Sequence, residues 1–323
     1  MLSLLKSSFL RLGALALGLV VSMDVARGAE AHHLPGSELL GRWDLTVAGP
    51  TGPYPSWLEV KLSGNRTFVG SYVGQFGSAR PVSKIQVDGA RFKFIVPPQW
   101  EHREIDVTVE GILSEDRLTG TVTDDTGKPL TWTGRRAPAL HRVKPPEWGT
   151  SIQLFNGKNL SGWRAMDPKL PNGWEVHDGV LINARPGNNL ISERKFDDFK
   201  LHVEFRYPAK SNSGIYLRGR YEAQIEDNFG REPESHLIGG IYGFLTPSVN
   251  AAKRPGEWQT YDITLVGRVV SVTLNGQRVI DRQAIPGITG GAVDSDEAAP
   301  GPLYLQGDHG QVEFRKVTLT PSR

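Results

Sequence analysis

Apolar and polar residues change places at every second position through much of this chain. Trp43, Leu45 and Val47 share one face, as do Leu58, Val60 and Leu62, then Phe92, Phe94 and Val96, and Ile105, Val107 and Val109. Side chains of a strand point alternately to its two faces, so each group marks one strand with one apolar side. Ser63-Gly64-Asn65, Asp88-Gly89 and Asp125-Thr126-Gly127 supply turns between them. Roughly seven or eight antiparallel strands are predicted over residues 32–136, enough for a small antiparallel β-barrel or sandwich, with Trp43 closing one end of its core. Residues 137–148 then break the pattern: Pro138, Pro145 and Pro146 lack a backbone N–H and hold the chain extended, as a linker does. Alternation resumes in 149–323, with Phe199, Leu201, Val203 and Phe205 on one face, Asn275-Gly276 at a hairpin turn, and closing strands at Leu303–Gln306 and Val312–Arg315. Roughly ten or more strands there predict a two-sheet jelly roll, so the fold class is all-β throughout.

Within the second half, Asn212 to Asp227 carries the densest run of reactive groups. Read as two strands, it sets Tyr216 and Arg218 opposite Ile215 and Leu217. The second strand groups Glu222, Gln224 and Glu226 opposite Tyr221, Ala223 and Ile225. Glu222 and Gln224 are then ~7 Å apart on one face, close enough to reach one sugar ring or to ligate one cation.

Composition narrows the function. The net charge is +2 with Lys and Arg dispersed, so the basic cluster of a nucleic-acid protein is missing beyond Arg135-Arg136. There is no cysteine, which excludes disulfides, thiolate metal sites and a lipidated cysteine. Lys6 and Arg11, the apolar run Leu12–Val21 and Ala29-Glu30-Ala31 read as a secretory leader over residues 1–31, with no membrane-length segment after it. A periplasmic or secreted protein is expected. Trp57 and Trp100 with Tyr54 are candidates for a sugar-stacking platform in the first domain or, equally, for core or inter-domain packing.

Phe155-Asn156-Gly157-Lys158-Asn159-Leu160-Ser161-Gly162-Trp163, Asn212-Ser213-Gly214-Ile215, Tyr221-Glu222-Ala223-Gln224-Ile225, Leu274-Asn275-Gly276 and Leu305-Gln306-Gly307-Asp308-His309-Gly310 followed by Phe314-Arg315 stand in this order. Together they resemble the bacterial 3-keto-disaccharide hydrolase family, also described as 3-keto-glucoside 1,2-lyase and 3-keto-2-hydroxyglucal hydratase, from about Thr150 to Pro321. The resemblance implies a concanavalin A-like jelly roll acting on saccharides oxidised at carbon 3, supplied by a sugar 3-dehydrogenase. It implies elimination of the carbon-1 substituent followed by hydration, and no organic cofactor.

On that footing Glu222 and His309 are the candidate catalytic residues. Arg218, Gln224, Tyr216, His236, Tyr242, Gln306 and Arg315 are the candidate substrate-binding residues. A divalent cation held by Glu222, Gln224, Asp227 and His309 stays open. Two features depart from the family pattern: Glu226 stands where an apolar residue is more common, and Lys316 replaces an asparagine. Two other functions stay open as well. One is a lectin-like polysaccharide-binding protein. The other is a conventional glucanase, against which Glu222 and Glu226 stand ~13 Å apart on an extended strand, beyond the ~5 to 9.5 Å that glycosidases use.

Overall fold

A computed structural model describes residues 34–323; the expected leader, residues 1–31, lies outside them. Among the described residues no helix is long and apolar enough to cross a membrane.

Eight strands form the first half: β1 (Gly41–Gly49), β2 (Gly52–Ser63), β3 (Thr67–Val73), β4 (Arg80–Asp88), β5 (Arg91–Val96), β6 (Val107–Ser114), β7 (Arg117–Thr123) and β8 (Pro129–Arg136). Each pairs antiparallel with the next, and β8 returns to β1 through Trp43↔Arg136 to Val47↔Trp132, closing an up-and-down barrel. The alternating apolar residues fill its interior. Gly111 and Gly120 leave room there for the rings of Phe92 and Trp132; a Cβ on Gly111 would lie 2.4 Å from Phe92. Trp43 is fully buried and donates from its indole to Leu39 O at 2.9 Å, plugging one end as the sequence predicts. Ile105 departs from its predicted strand: β6 starts at Val107, and Ile105 is left 65% exposed.

The second half contains β9 (Ile152–Gln153), β10 (Trp163–Ala165), β11 (Trp174–His177), β12 (Val180–Asn183), β13 (Leu190–Phe196), β14 (Phe199–Arg206), β15 (Asn212–Leu217), β16 (Tyr221–Glu226), β17 (Gln259–Val266), β18 (Val269–Leu274), β19 (Gln277–Ala284), β20 (Gly301–Leu305) and β21 (Val312–Pro321). They build a sandwich of two sheets. One runs β10-β13-β20-β15-β16 and the other β11-β12-β21-β14-β17-β18-β19. The inner faces contribute Leu201, Val203 and Phe205 from the larger sheet and Ile215, Leu217, Ala223 and Ile225 from the smaller.

The core does not stop at the sandwich. Trp57 and Val73 of the barrel belong to the same apolar cluster, and Trp57 meets Phe244 edge-on at 5.4 Å. A Cβ on Gly287 would lie 2.2 Å from the Trp57 indole, so this glycine is what lets the two halves close. Trp57 is therefore interior packing and not part of a sugar platform. The proline-containing segment lies along the sandwich, with Arg142 paired to Asp197 and Asp198 and with Pro138 O accepting from Arg268.

Candidate active site

Directly opposed residues in antiparallel strands project from the same face. The registers Ile191↔Tyr304, Tyr304↔Tyr216 and Tyr216↔Glu222 therefore draw one row across β13, β20, β15 and β16 that ends at Glu222. The next row pairs Gly214 with Gln224. Their chain neighbours point the other way into the core, which leaves this polar face of the smaller sheet as the floor of a cavity of about 520 Å³. The rings of Tyr216 and Tyr304 stack on each other at 4.1 Å, 8° from parallel. Glu222, Gln224, Tyr242, Gln306 and His309 line the same cavity.

Glu222 is 3% exposed. Burial pushes its carboxyl up to about 8, against the opposing pull of the Tyr216 hydroxyl and the His309 charge. Tyr216 Oη lies 3.0 Å from Glu222 Oε2 and 2.8 Å from Gly290 O. Its single proton cannot serve both acceptors at once. When Glu222 is protonated, it can donate to Tyr216 while Tyr216 donates to Gly290; when ionised, it competes with Gly290 for that proton. Gly214 supplies the space, because a Cβ there would stand 2.3 Å from Glu222 Oε1. Its φ lies outside the left-handed region, so the glycine of Asn-Ser-Gly is needed for volume and not for backbone freedom.

His309 sits half-exposed at the rim, its Nδ1 2.6 Å from Asp308 Oδ1. That bond holds the imidazole pKa above its ordinary value, with burial opposing. Burial of Asp308 acts to raise its own pKa but is outweighed by the bonds from His309 and Asn189, so the carboxyl is held low. Asn189 Nδ2 donates to Asp308 Oδ2 at 3.2 Å while Asn189 Oδ1 accepts from Gly307 N at 2.8 Å. With Nδ1 engaged, Nε2 is the nitrogen left to meet a ligand. Gln306 Oε1 is buried with no hydrogen-bond partner among the described residues, an acceptor in want of a donor. Gln224 is spent on the protein: Nε2 donates to His236 O at 3.1 Å and Oε1 accepts from Ile225 N at 3.0 Å.

Other predicted residues fall elsewhere. Arg218 does not share the face of Tyr216, because β15 ends at Leu217 and Arg218 enters the turn with φ 52°. It is fully buried and donates to Gly267 O at 2.9 Å and Tyr221 Oη at 3.1 Å. Arg315 is the extra residue of a bulge where the β14–β21 register shifts between Glu204↔Lys316 and Phe205↔Phe314. It points to the exposed side of the larger sheet, bonding Glu204 and covering Trp258 at 4.4 Å. His236 leaves its ring exposed, edge-on to Tyr242 at 5.2 Å, and does not line the cavity. Asp227 accepts from Lys210 N at 2.8 Å, away from the cavity. Glu222, Gln224 and His309 thus line one cavity without Asp227, and among the described residues no group of three His, Cys, Asp or Glu side chains is placed to hold a metal ion.

Tyr304, Asp308 and Asn189 were missed. Tyr304 was legible as the alternate neighbour of Gln306, and Asp308 as the residue preceding His309; Asn189 carries no such signal. Trp100 does line the cavity, together with Phe76, whereas Tyr54 lies at a separate groove beside Arg117 and Asp296. A further cavity of about 720 Å³ on the barrel is lined by threonines and the Lys93–Glu110 pair, with no comparable acid–base set.

Residues 150–320 match the 3-keto-alpha-glucoside-1,2-lyase-like domain, and the chain belongs to that family. It is 23% identical to the 3-keto-disaccharide hydrolase of Bacteroides thetaiotaomicron, over 40% of this chain and 57% of the relative, so the match spans little more than half of that protein. Two solved structures from Parabacteroides distasonis, both assigned as glycosyl hydrolases, are similar. One has 27% identity and a TM-score of 0.46, covering 55% of this chain and 92% of that one. The other has 25% identity and a TM-score of 0.42, covering 53% and 98%.

Proposed function

We propose that this protein cleaves 3-keto-glucosides by elimination and hydration. The observation that carries the reading is Glu222, a buried carboxyl of raised pKa on the floor of a cavity in a chain of this family. The sugar ring lies in the cavity above Tyr216 and Tyr304, with one hydroxyl donating to Gln306 Oε1. A carbonyl at carbon 3 acidifies the hydrogen on carbon 2, and ionised Glu222, basic because its pKa is high, takes that proton. The enolate so formed collapses back to the carbonyl, the carbon 1–carbon 2 double bond forms, and the bond from carbon 1 to the leaving oxygen breaks. Protonated His309 gives that oxygen its proton. Water then adds to carbon 1, losing a proton to His309, while Glu222 returns its proton to carbon 2.

The carbonyl comes from oxidation of a sugar hydroxyl, the work of a sugar 3-dehydrogenase, and the leader-like sequence of residues 1–31 supports a reaction outside the cytoplasm. Incubation with matched 3-keto and unoxidised glucosides tests the reading. Release from the 3-keto compound alone is expected; release from both would point to conventional hydrolysis, and binding without release to a lectin. Two protonation states are required, so kcat/KM is expected to be bell-shaped in pH with one limb near 8, the value for Glu222. Gly214→Ala is expected to cost about 10²-fold in kcat with the fold retained by circular dichroism, because it displaces the Glu222 carboxyl.

A further inference from the structure

The family match begins at residue 150, yet the cavity is closed by residues well before it: Phe76 and Gly77 from the β3–β4 loop and Trp100 from the β5–β6 loop. These two loops are locked together. Gln99 Nε2 donates to Ser78 Oγ at 2.7 Å, and Ser78 N donates to Gln99 Oε1 at 2.9 Å. Arg80 and Glu101 form a buried pair at 3.0 Å, and Glu101 Oε2 accepts from Gln99 N at 2.8 Å and Trp100 N at 3.2 Å. They are also locked to the sandwich. Gly291 N donates to Gln75 O at 2.8 Å, and a Cβ on Gly290 would lie 2.2 Å from Gly77 O. Gly290 is the residue whose carbonyl accepts from Tyr216. The wall that carries Phe76 and Trp100 is thus fixed, through one loop, against the hydroxyl that touches Glu222.

The chemistry of this wall differs from that of the floor. Phe76 and Trp100 meet edge-on at 5.2 Å, and Met166 and Leu170 line the same cavity. Phe76 is 46% exposed and Leu170 51%, a grouping of large apolar side chains left to water. Beside them Asn188 is spent, its Oδ1 accepting from Asp167 N at 3.1 Å and its Nδ2 donating to Asp167 O and to Leu170 O, while the Trp100 indole N–H is buried without a partner among the described residues. A second sugar ring would need several unspent donors and acceptors for its hydroxyls, and beside the two aromatic rings this wall offers the Trp100 indole N–H and Asp167; a flat apolar ring needs none.

We propose that the two barrel loops complete the substrate site and that Phe76 and Trp100 form the subsite for the group leaving from carbon 1, selecting a planar aromatic aglycone. The proposal rests on the 3-keto-glucoside reading above. Its test compares 3-keto 2-naphthyl glucoside, 3-keto phenyl glucoside and a 3-keto disaccharide, the two aryl leaving groups being of similar acidity. The wild type is expected to favour naphthyl over phenyl by about tenfold or more in kcat/KM, and both over the disaccharide. Phe76→Ala and Trp100→Ala should collapse the naphthyl-to-phenyl ratio toward one, and Trp100→Phe should restore much of it. A loss of packing alone would lower all three substrates together and leave the ratio unchanged. An unchanged ratio, or a preference for the disaccharide, overturns the proposal. Should no 3-keto-glucoside be turned over, the function reading falls. Calorimetry of unoxidised 2-naphthyl and phenyl glucosides then tests the subsite by itself: tighter naphthyl binding lost in Trp100→Ala supports it, and equal binding overturns it.

Discussion

Glu222→Gln is expected to lower turnover of a 3-keto-glucoside by about 10²- to 10⁴-fold, the range for a general acid–base group, while leaving the protein more stable than the wild type. The two effects have one cause. The folded pKa of Glu222, about 8, stands above its unfolded value, so the folded state keeps a proton that the unfolded chain releases. Stability therefore falls as pH rises through the interval between the unfolded pKa and 8. Glutamine has the shape of the protonated acid and can donate to Tyr216 as that acid does, but it has nothing to ionise. Urea unfolding of both proteins at pH 6 and pH 9 measures this, and the advantage of the variant should widen at pH 9. A variant with near-normal turnover would remove Glu222 from the chemistry. One that lost stability at both pH values would make the carboxyl a structural group.

Period-two reading succeeded where the chain stays extended and failed where it does not. Tyr216, Glu222 and Gln224 share the predicted face because β15 and β16 pair without interruption from Asn212↔Glu226 to Leu217↔Tyr221. One residue further on, the left-handed φ of Arg218 swings its guanidinium off that face, and no alternation rule announces where a strand stops. Arg315 fails for a different reason: it does emerge opposite the buried Phe314, but β21 belongs to the larger sheet, whose outer face is not the face that floors the cavity, and local pattern does not say which sheet a strand joins. The eight barrel strands were legible because each buries one face only. That they close on themselves depends on β1 meeting β8, a contact between residues too far apart in sequence for local pattern to reveal. The same distance hid the cavity wall. Trp57 and Trp100 look alike as aromatic residues shortly after prolines, and only the docking of barrel on sandwich separates a core residue from one facing ligand.

That docking rests on a buried ion pair, and Arg268→Met is expected to cost about 3–5 kcal/mol of stability, because it strands a buried charge. Arg268 is 3% exposed and its partner Glu297 fully buried. Arg268 also donates to Pro286 O at 2.6 Å and Pro138 O at 2.9 Å, while Glu297 Oε1 accepts from Tyr221 Oη at 2.6 Å. On the barrel side of this cluster stands Asp44, 2% exposed, whose carboxyl is pushed up to about 9 first by burial and then by the Glu297 charge. A barrel carboxylic acid thus meets a sandwich ion pair, and the pair tolerates it only while it is protonated. Asp44 has a folded pKa above its unfolded one, so its contribution to stability declines as pH climbs from about 4 toward 9. Asp44→Asn, which cannot ionise, should flatten that decline. Denaturation midpoints separate the two roles: Arg268→Met should fall at every pH, whereas Asp44→Asn should gain on the wild type as pH rises. Adding Glu297→Leu to Arg268→Met should recover most of the loss, since an apolar pair leaves no charge without a partner. If the double variant is as unstable as the single one, the cost lies in the Pro138 and Pro286 carbonyls that Arg268 caps, and the ion pair is incidental.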